Sequence, residues 1–404
     1  LAAVGSTSAL TNLLVNLFIG LSVGVNVLVA RFYGAQQEQE AQEAVHTAVI
    51  VSGLGGILLA FIGIVLAEPL LQWMDTPDDV INHSVLYMRI YFVGMPVMLL
   101  YNFGSAILRA IGDTRRPLYF LAAAGVINVI LNLIFVINFH MGVAGVALAT
   151  IISQCVSAAL IMRCLMKSEG CIRVEWTKLR IHWKMLGKIA QIGLPAGVQG
   201  VLFSISNVLI QSSINSFGST AMAGNAAAVN IEGFVFTSCN SVAQASLTFT
   251  SQNLGAGQYK RLRGITLWCL ALGILLSEIL GFIAYGFGNS LLAFYNKDSE
   301  VIAMGMIRMM IVGTTYGLDA IMDIMADIIR GMGSSVMPMI VTLIGACGFR
   351  VVWIYTIFAT HHDLRVLYIS YPISWILTSL THIICYFIVK RRRLSGLTEG
   401  VPSV

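Results

Sequence analysis

The chain has 404 residues, of which 57% are hydrophobic and only 11% are charged, compared with roughly 25% charged residues in an ordinary soluble domain. This composition excludes a soluble globular protein and indicates a helical protein that crosses a membrane many times. The formal net charge of +5 gives no reason to invoke nucleic acid, because most basic residues fall in loops on one predicted side of the membrane.

Runs of about 20 mainly apolar residues, each long enough to cross a hydrocarbon core of roughly 30 Å, occur eleven times along the chain. They lie near 9–30, 46–67, 86–107, 118–139, 143–166, 189–216, 228–252, 265–288, 302–328, 338–358 and 366–389. If these runs alternate in direction, 19 of the 24 Lys and Arg residues share one side, which the positive-inside rule makes cytoplasmic.

The fourth run carries two amides, Asn128 and Asn132, that are four residues apart and therefore share a helix face. Buried amides need partners. Two interpretations stay open: hydrogen bonds between helices, or oxygen ligands for a cation. Amides also mark the run at 189–216, where Asn207 and Gln211 are candidates for a substrate-binding cavity.

Ionisable residues inside the later runs are functional hypotheses by default, because a charged side chain at mid-membrane costs about 2.5 to 3.5 kcal/mol on insertion scales. These residues are Glu232, Glu278, Asp319, Asp323, Asp327 and Arg350. The three aspartates are spaced by four and so lie along one stripe of a predicted helix. Asp319 and Glu232 are the leading candidates for a coupling-ion site, followed by Asp323, Asn128 and Asn132.

Two halves of the chain are related by an internal duplication. The segment Leu108–Pro117 matches Ile329–Pro338 at an offset of 221 residues, and Gly34-Ala35 matches Gly255-Ala256 at the same offset. Arg89 and Gly94 match Arg308 and Gly313 at an offset of 219. The repeat is longer than any solenoid unit, so it indicates two homologous halves of one fold.

The duplication also predicts the domain organisation. The run at 189–216 has no twin in the first half, so we expect the first helix of a six-plus-six arrangement to be missing. The predicted domains are an N-terminal bundle at 1–167, a cytoplasmic inter-repeat loop at 168–188, a C-terminal six-helix bundle at 189–390 and a cytoplasmic tail at 391–404. In the first half, Met98 and Asn102 occupy the positions of Asp319 and Asp323, so these acids are not part of the shared scaffold.

The sequence lacks the motifs that would indicate nucleotide binding, a metal or redox site, or nucleophilic catalysis. A phosphate-binding GxxxxGK[ST] loop is absent, the seven cysteines form no CxxC pair, and no serine or cysteine nucleophile has a motif around it. The sequence therefore predicts neither an enzyme, nor a resident metal, nor a cofactor.

Four segments together resemble the multidrug and toxic compound extrusion (MATE) family of transporters. They are SQNLGAGQ at Ser251–Gln258, LRAIGDTRRP at Leu108–Pro117, IIRGMGSSVMP ending at Pro338, and GLPAGVQ at Gly193–Gln199. The resemblance implies twelve helices, eleven of them present here, in two bundles around a central cavity. It also implies a monomer in a bacterial inner membrane that exports amphipathic, often cationic, small molecules in exchange for Na⁺ or H⁺.

The resemblance leaves the coupling site open. One branch of the family uses an acid eleven residues before the Arg of its loop motif, where Asp319 stands relative to Arg330. That branch also uses a Glu in its seventh helix, where this chain has Phe203. Another branch uses an Asn-xxx-Asp pair, which Asn128 and Asn132 match only in the first residue. Glu232 resembles the acid of a DinF-like subset.

Met322 and Met325 could form an adaptable apolar wall for substrates, or they could simply pack in the core. Two other functions stay open as alternatives. A flippase for lipid-linked oligosaccharides would share the two-bundle architecture, and a membrane-embedded enzyme would need a clustered catalytic set that the sequence does not show.

Overall fold

The computed structural model describes residues 2–73 and 78–398, with side chains at 15–72 and 81–393. Regular structure in these ranges is helical throughout and contains no strand, which confirms the all-α prediction. Residues 1, 74–77 and 399–404, the last of which end the predicted cytoplasmic tail, lie outside the described residues.

The helices, in chain order, are α1 (Ala2–Gly34), α2 (Glu38–Trp73), α3 (Asp78–Val93), α4 (Met95–Ala110), α5 (Arg115–Leu133), α6 (Gly142–Lys167), α7 (Trp183–Asn215), α8 (Ser219–Gly255), α9 (Arg261–Gly286), α10 (Gly288–Tyr295), α11 (Ser299–Ile311), α12 (Tyr316–Gly331), α13 (Val336–Thr342), α14 (Phe349–Trp353) and α15 (Leu364–Thr398). Three π-helical segments, Ile134–Asn138, Leu343–Gly348 and Ile354–Phe358, continue or join these helices.

Nine helical segments of the described chain are long and apolar enough to cross a membrane, and the bent pair of α3 and α4 makes ten. These ten coincide with ten of the eleven predicted runs. The remaining prediction, 228–252, falls in α8, which has 37 residues but is too rich in amides and hydroxyls to qualify by composition. Because α8 packs against α9, α11 and α12, part of its polar surface, including Asn225 and Glu232, is buried against protein.

The internal duplication is visible in the backbone of both halves. Gly112 and its counterpart Gly333 both adopt φ 90°, and Gln36 and its counterpart Gly257 adopt φ 56° and 68°. In both glycine turns the N–H donates to the carbonyl oxygen three residues earlier, at 2.9 and 2.7 Å. This left-handed conformation ends a helix and favours glycine, so the repeated motif encodes one helix end twice.

Replacing Gly333 by alanine is expected to lower the free energy of unfolding by about 1–2 kcal/mol, because a Cβ disfavours the left-handed backbone. Thermal unfolding of the purified protein in detergent measures this as a lower Tm. The matched control is Gly264→Ala in α9, where a Cβ meets no atom of the described chain within 4 Å and the backbone is helical. Equal shifts in Tm for the two variants would contradict the assignment.

Backbone contacts divide the chain into two compact units, Leu1–Val201 and Leu202–Val404. The division falls inside α7, so the first part of that helix packs with the first unit. The predicted inter-repeat loop at 168–188 contains two short 3₁₀ turns, Gly170–Ile172 and Trp176–Lys178, before α7 begins.

Close packing in the first unit depends on two pairs of glycines. Gly20 and Gly24 on α1 lie against Gly193 and Gly197 on α7, and a Cβ added at any of the four would collide with backbone atoms of the opposite helix. Both pairs are spaced by four residues, the small-residue pattern that lets membrane helices approach closely. The GLPAGVQ segment therefore has a packing role in this unit.

Matched glycines interrupt a spanning helix in each half. In the first unit the chain bends by 48° between α3 and α4, at Gly94. In the second unit a 3₁₀ turn, Gly313–Thr315, separates α11 from α12. The sequence predicted one continuous run at 302–328, whereas the structure starts a new helix at Tyr316, in the middle of that run.

Candidate functional site

Helix α12 carries Asp319, Asp323 and Asp327 on one face, as their spacing predicted. Asp319 is 4% exposed and Asp327 is 8% exposed, while Asp323 is half-buried. Asp327 forms an ion pair with Arg330 at 2.5 Å. Within the described part of the chain, Asp319 and Asp323 have no hydrogen bond or ion pair. The three acids thus differ: one is neutralised locally and two retain free carboxylate oxygens.

Asp319 lies within electrostatic range of a buried arginine. Arg350, which is 1% exposed, interacts electrostatically with Asp319, but no nitrogen of Arg350 comes within 4.0 Å of its carboxylate oxygens. A buried carboxylate without a direct partner is unfavourable. A proton or a small cation at Asp319 would remove that penalty, so this arrangement can bind and release a positive charge.

A capping contact sets the position of Asp319. Helix α12 begins in the middle of a membrane span, where its first backbone N–H groups lack intrahelical acceptors. Glu278 on α9 accepts a hydrogen bond from the N–H of Gly317 at 2.9 Å, two residues before Asp319. A Cβ at Gly317 would collide with the Glu278 side chain. In the first unit, Pro96 lies at the corresponding helix start and has no N–H to satisfy.

The sequence marked Glu278 only as an ionisable residue inside an apolar run, and this role was not predicted. The only signal was the repeated glycine at the helix break, which implies a helix start nearby. Its acceptor could not be identified, because the two residues are 39 positions apart and belong to different helices.

The capping role predicts different outcomes for two substitutions of Glu278. Glu278→Gln keeps an oxygen acceptor, so we expect a Tm near that of the wild type. Glu278→Leu leaves the N–H of Gly317 without an acceptor, which costs about 1–3 kcal/mol. Thermal unfolding in detergent compares the two. If both variants lost the same stability, the negative charge of Glu278, rather than its acceptor, would be what matters.

Glu232 is engaged by an arginine. In the second unit, Arg308 on α11 donates from Nε and Nη2 to Oε2 of Glu232 on α8, at 3.0 and 2.9 Å. Arg308 is 6% exposed and Glu232 is 2% exposed. Arg308 also donates from Nη1 to Oδ1 of Asn225 at 3.0 Å. Buried charges require such pairing, and the pair ties α8 to α11.

Further hydrogen bonds extend this network around Asn225. Its Nδ2 donates to Oε1 of Gln211 at 3.1 Å, and its Oδ1 accepts from the hydroxyl of Tyr368 at 3.2 Å. Gln211 in turn donates to Asn215 at 2.9 Å. Glu232 and Gln211, predicted as candidates for coupling ion and substrate, therefore have identifiable structural roles, and their proposed functional roles stay predictions.

The amide pair of the fourth run lies in the first unit. Asn132 donates to Oδ1 of Asn128 at 3.0 Å, and Asn128 donates to the hydroxyls of Thr150 and Ser153 on α6, each at 3.4 Å. These contacts support the interpretation of hydrogen bonds between helices. The other interpretation stays a prediction: Oδ1 of Asn132 is buried without a donor among the described groups.

The remaining candidates for a substrate-binding cavity have contrasting surroundings. Met322 and Met325 are each 2% exposed and belong to two hydrophobic clusters of the second unit. Their burial favours the packing interpretation over an adaptable wall. Asn207 on α7 is exposed. Met322 belongs to the same hydrophobic cluster as Tyr316, Tyr371 and Trp375, whereas Met325 belongs to a different one.

Comparison with known proteins gives one consistent result. The model of the family described as MatE matches residues 1–134 and 195–356. The chain is 26% identical to "Probable multidrug resistance protein YoeA" of Bacillus subtilis over 99% of this chain and 88% of that protein. It is 27% identical to "Probable multidrug resistance protein YpnP" of the same organism over 73% of this chain and 66% of that protein.

Among solved structures, the chain resembles the Vibrio cholerae MATE transporter VcmN in its bent form. The TM-score is 0.87 at 21% identity, over 97% of this chain and 89% of that one. At this level of identity the likeness concerns the fold alone. These findings favour the multidrug-transport interpretation over the flippase alternative.

Proposed function

Because the chain belongs to the MatE family, we propose that it exports amphipathic, often cationic, compounds from the cytoplasm in exchange for Na⁺ or H⁺. It is a membrane transporter rather than an enzyme. Like its bacterial relatives, it is a multi-pass protein of the inner membrane. The substrate class, the coupling ion and the site of coupling are the content of the proposal.

The observation that carries the proposal is the buried carboxylate of Asp319, which has no hydrogen bond or ion pair in the described chain. This carboxylate binds the coupling cation from outside. A cationic substrate from the cytoplasm then competes for the same oxygens, so the two are bound in turn and never together. Such mutual exclusion couples the two movements, because the site cannot carry both ligands at once.

Elements around Asp319 have distinct parts in this mechanism. Glu278 accepts a hydrogen bond from the first turn of α12. This contact keeps Asp319 in place while the coupling cation and the cationic substrate exchange there. Half-buried Asp323, one turn further along α12, provides a second carboxylate on the path towards the cytoplasmic end of that helix. The membrane potential contributes about 2.3 kcal/mol for each elementary charge that moves through 100 mV.

Transport by the purified full chain in proteoliposomes tests the proposal. A fluorescent cationic dye is loaded on one side, and a Na⁺ gradient or a pH gradient is imposed in separate runs. We expect dye movement against its own gradient with one of the two ions and none without a gradient. Dye movement that is indifferent to both gradients would overturn exchange, and the ion that drives movement identifies the coupling ion.

A further inference from the structure

Arg350 has a hydrogen-bonding need that the described chain leaves unmet. Its Nε donates to the hydroxyl of Ser374 at 3.0 Å. Its Nη2 is buried and has no acceptor among the described groups. Because the side chain is 1% exposed, bulk water does not satisfy this donor in the conformation described.

A second unsatisfied donor lies beside it. Nε1 of Trp375 is also buried without an acceptor in the described chain, and Trp375 is 3% exposed. The guanidinium carbon of Arg350 lies 5.8 Å from the centre of the Trp375 ring. Buried donors without acceptors are unfavourable and rare. Two of them on neighbouring side chains leave two hydrogen bonds open to an acceptor from outside the described chain.

Aromatic rings surround the two donors. The Arg350 guanidinium lies 4.1 Å from the centre of the Tyr371 ring and 5.7 Å from that of Phe203. Tyr316, three residues before Asp319, lies 5.6 Å from Trp375 between ring centres. An acceptor that reaches Arg350 would therefore arrive among flat apolar surfaces, which suits a group attached to an aromatic ring system.

The charges around Arg350 leave it only partly compensated. Asp319 interacts electrostatically with Arg350 from outside ion-pairing distance, and the positive Arg308 opposes this interaction. An anionic oxygen is thus a better partner for Arg350 than a neutral one.

The second unit contains this arrangement, whereas the matching positions of the first unit do not. At the offset of 221, the counterpart of Arg350 is Val129. The π-helical segment Leu343–Gly348, directly before α14, corresponds to regular α-helix in α5. Local π-helix is frequent at functional sites. The arginine and the π-helical segment before it therefore have no counterpart at the matching positions of the first unit.

We propose that Arg350 and Trp375 form a subsite for the carboxylate of a zwitterionic aromatic substrate, whose cationic group is held by Asp319. The inference rests on the proposed function, since it specifies which compounds that function exports. The substrate carboxylate gives Arg350 an ion-pair partner while the cationic group engages Asp319. Exchange is preserved, because the coupling cation and the substrate still compete for Asp319.

Binding of two matched dyes to the purified full chain tests the subsite. A rhodamine free acid is a zwitterion, and its methyl ester has the same ring system and cationic charge without the carboxylate. Fluorescence polarisation in detergent measures both affinities. We expect the free acid to bind the wild type about tenfold more tightly than the ester, a difference typical of a charge-assisted hydrogen bond.

Two variants locate the effect. Arg350→Gln should abolish the preference for the free acid, so that the ratio of the two affinities falls to about one. The ester should bind this variant at least as tightly as it binds the wild type, because Asp319 loses a nearby positive charge. Trp375→Phe keeps an aromatic ring but removes the N–H, and it should reduce the preference; it decides the matter if Arg350→Gln does not fold. Equal binding of both dyes by the wild type would overturn the subsite and leave the proposed function standing. Binding of neither dye would also overturn the subsite, and the gradient-driven transport assay decides the proposed function separately.

Discussion

Replacing Asp319 by asparagine is expected to abolish gradient-driven dye transport, reducing it to the background of vesicles without protein. Asparagine preserves the size of the side chain and can still form hydrogen bonds, but it cannot carry the negative charge that alternately holds the coupling cation and a cationic substrate. The full chain in proteoliposomes, with the driving gradient established for the wild type, measures the loss.

A neighbouring acid of α12 provides the control for this variant. Asp327 is also buried, but it forms an ion pair with Arg330, so Asp327→Asn should retain transport for each correctly folded molecule. Wild-type transport by Asp319→Asn at normal protein yield would show that coupling resides elsewhere. The first alternatives would then be Glu232 and the amides Asn128 and Asn132.

Replacing Glu232 by glutamine is expected to destabilise the protein by about 3–5 kcal/mol, because it leaves the buried Arg308 without its counter-charge. Thermal unfolding in detergent should show a large drop in Tm and a lower yield of monodisperse protein. Combining Glu232→Gln with Arg308→Met removes both charges. The double variant should therefore be more stable than the sum of the single effects implies.

The repeat supplies a matched control in the first unit. Arg89 is the counterpart of Arg308 and pairs with Glu68 at 3.1 Å, but the two side chains are 46% and 53% exposed. Exposed pairs contribute little to stability, so Glu68→Gln should leave Tm almost unchanged. A large loss in Glu68→Gln, or none in Glu232→Gln, would refute the assignment of Glu232 as a buried structural charge.

The sequence was sufficient for those features that depend on local pattern. Apolar runs of membrane length identified nearly all the spanning helices, since a helix in lipid must satisfy its backbone internally. The repeated motif predicted that Gly112 and Gly333 occupy equivalent places, and the structure shows the same left-handed backbone at both. The spacing of Asp319, Asp323 and Asp327 correctly placed them on one helix face.

Features that depend on contacts between helices could not be predicted from the sequence alone. Arg308 is 76 residues from Glu232, and nothing in either local pattern indicates the partner. The helix break at Gly313 lies within a run whose composition favours continuous helix, and the contact from Glu278 stabilises the new helix start. The same limit applies to Arg350, whose unmet donor becomes apparent only when its neighbours are known.

The polarity of α8 has a consequence for how the protein is made. A segment must be apolar to partition from the protein-conducting channel into lipid by itself, and α8 is long enough but too polar by composition. During synthesis α8 therefore gains its contacts with α9, α11 and α12 only after those helices have also been made. The last of these partners, α12, ends at Gly331. The ribosome has therefore translated most of the chain before all the packing partners of α8 are present. Substitutions on α9, α11 and α12 that face α8 should consequently impair the membrane insertion of α8, although α8 precedes them in the chain.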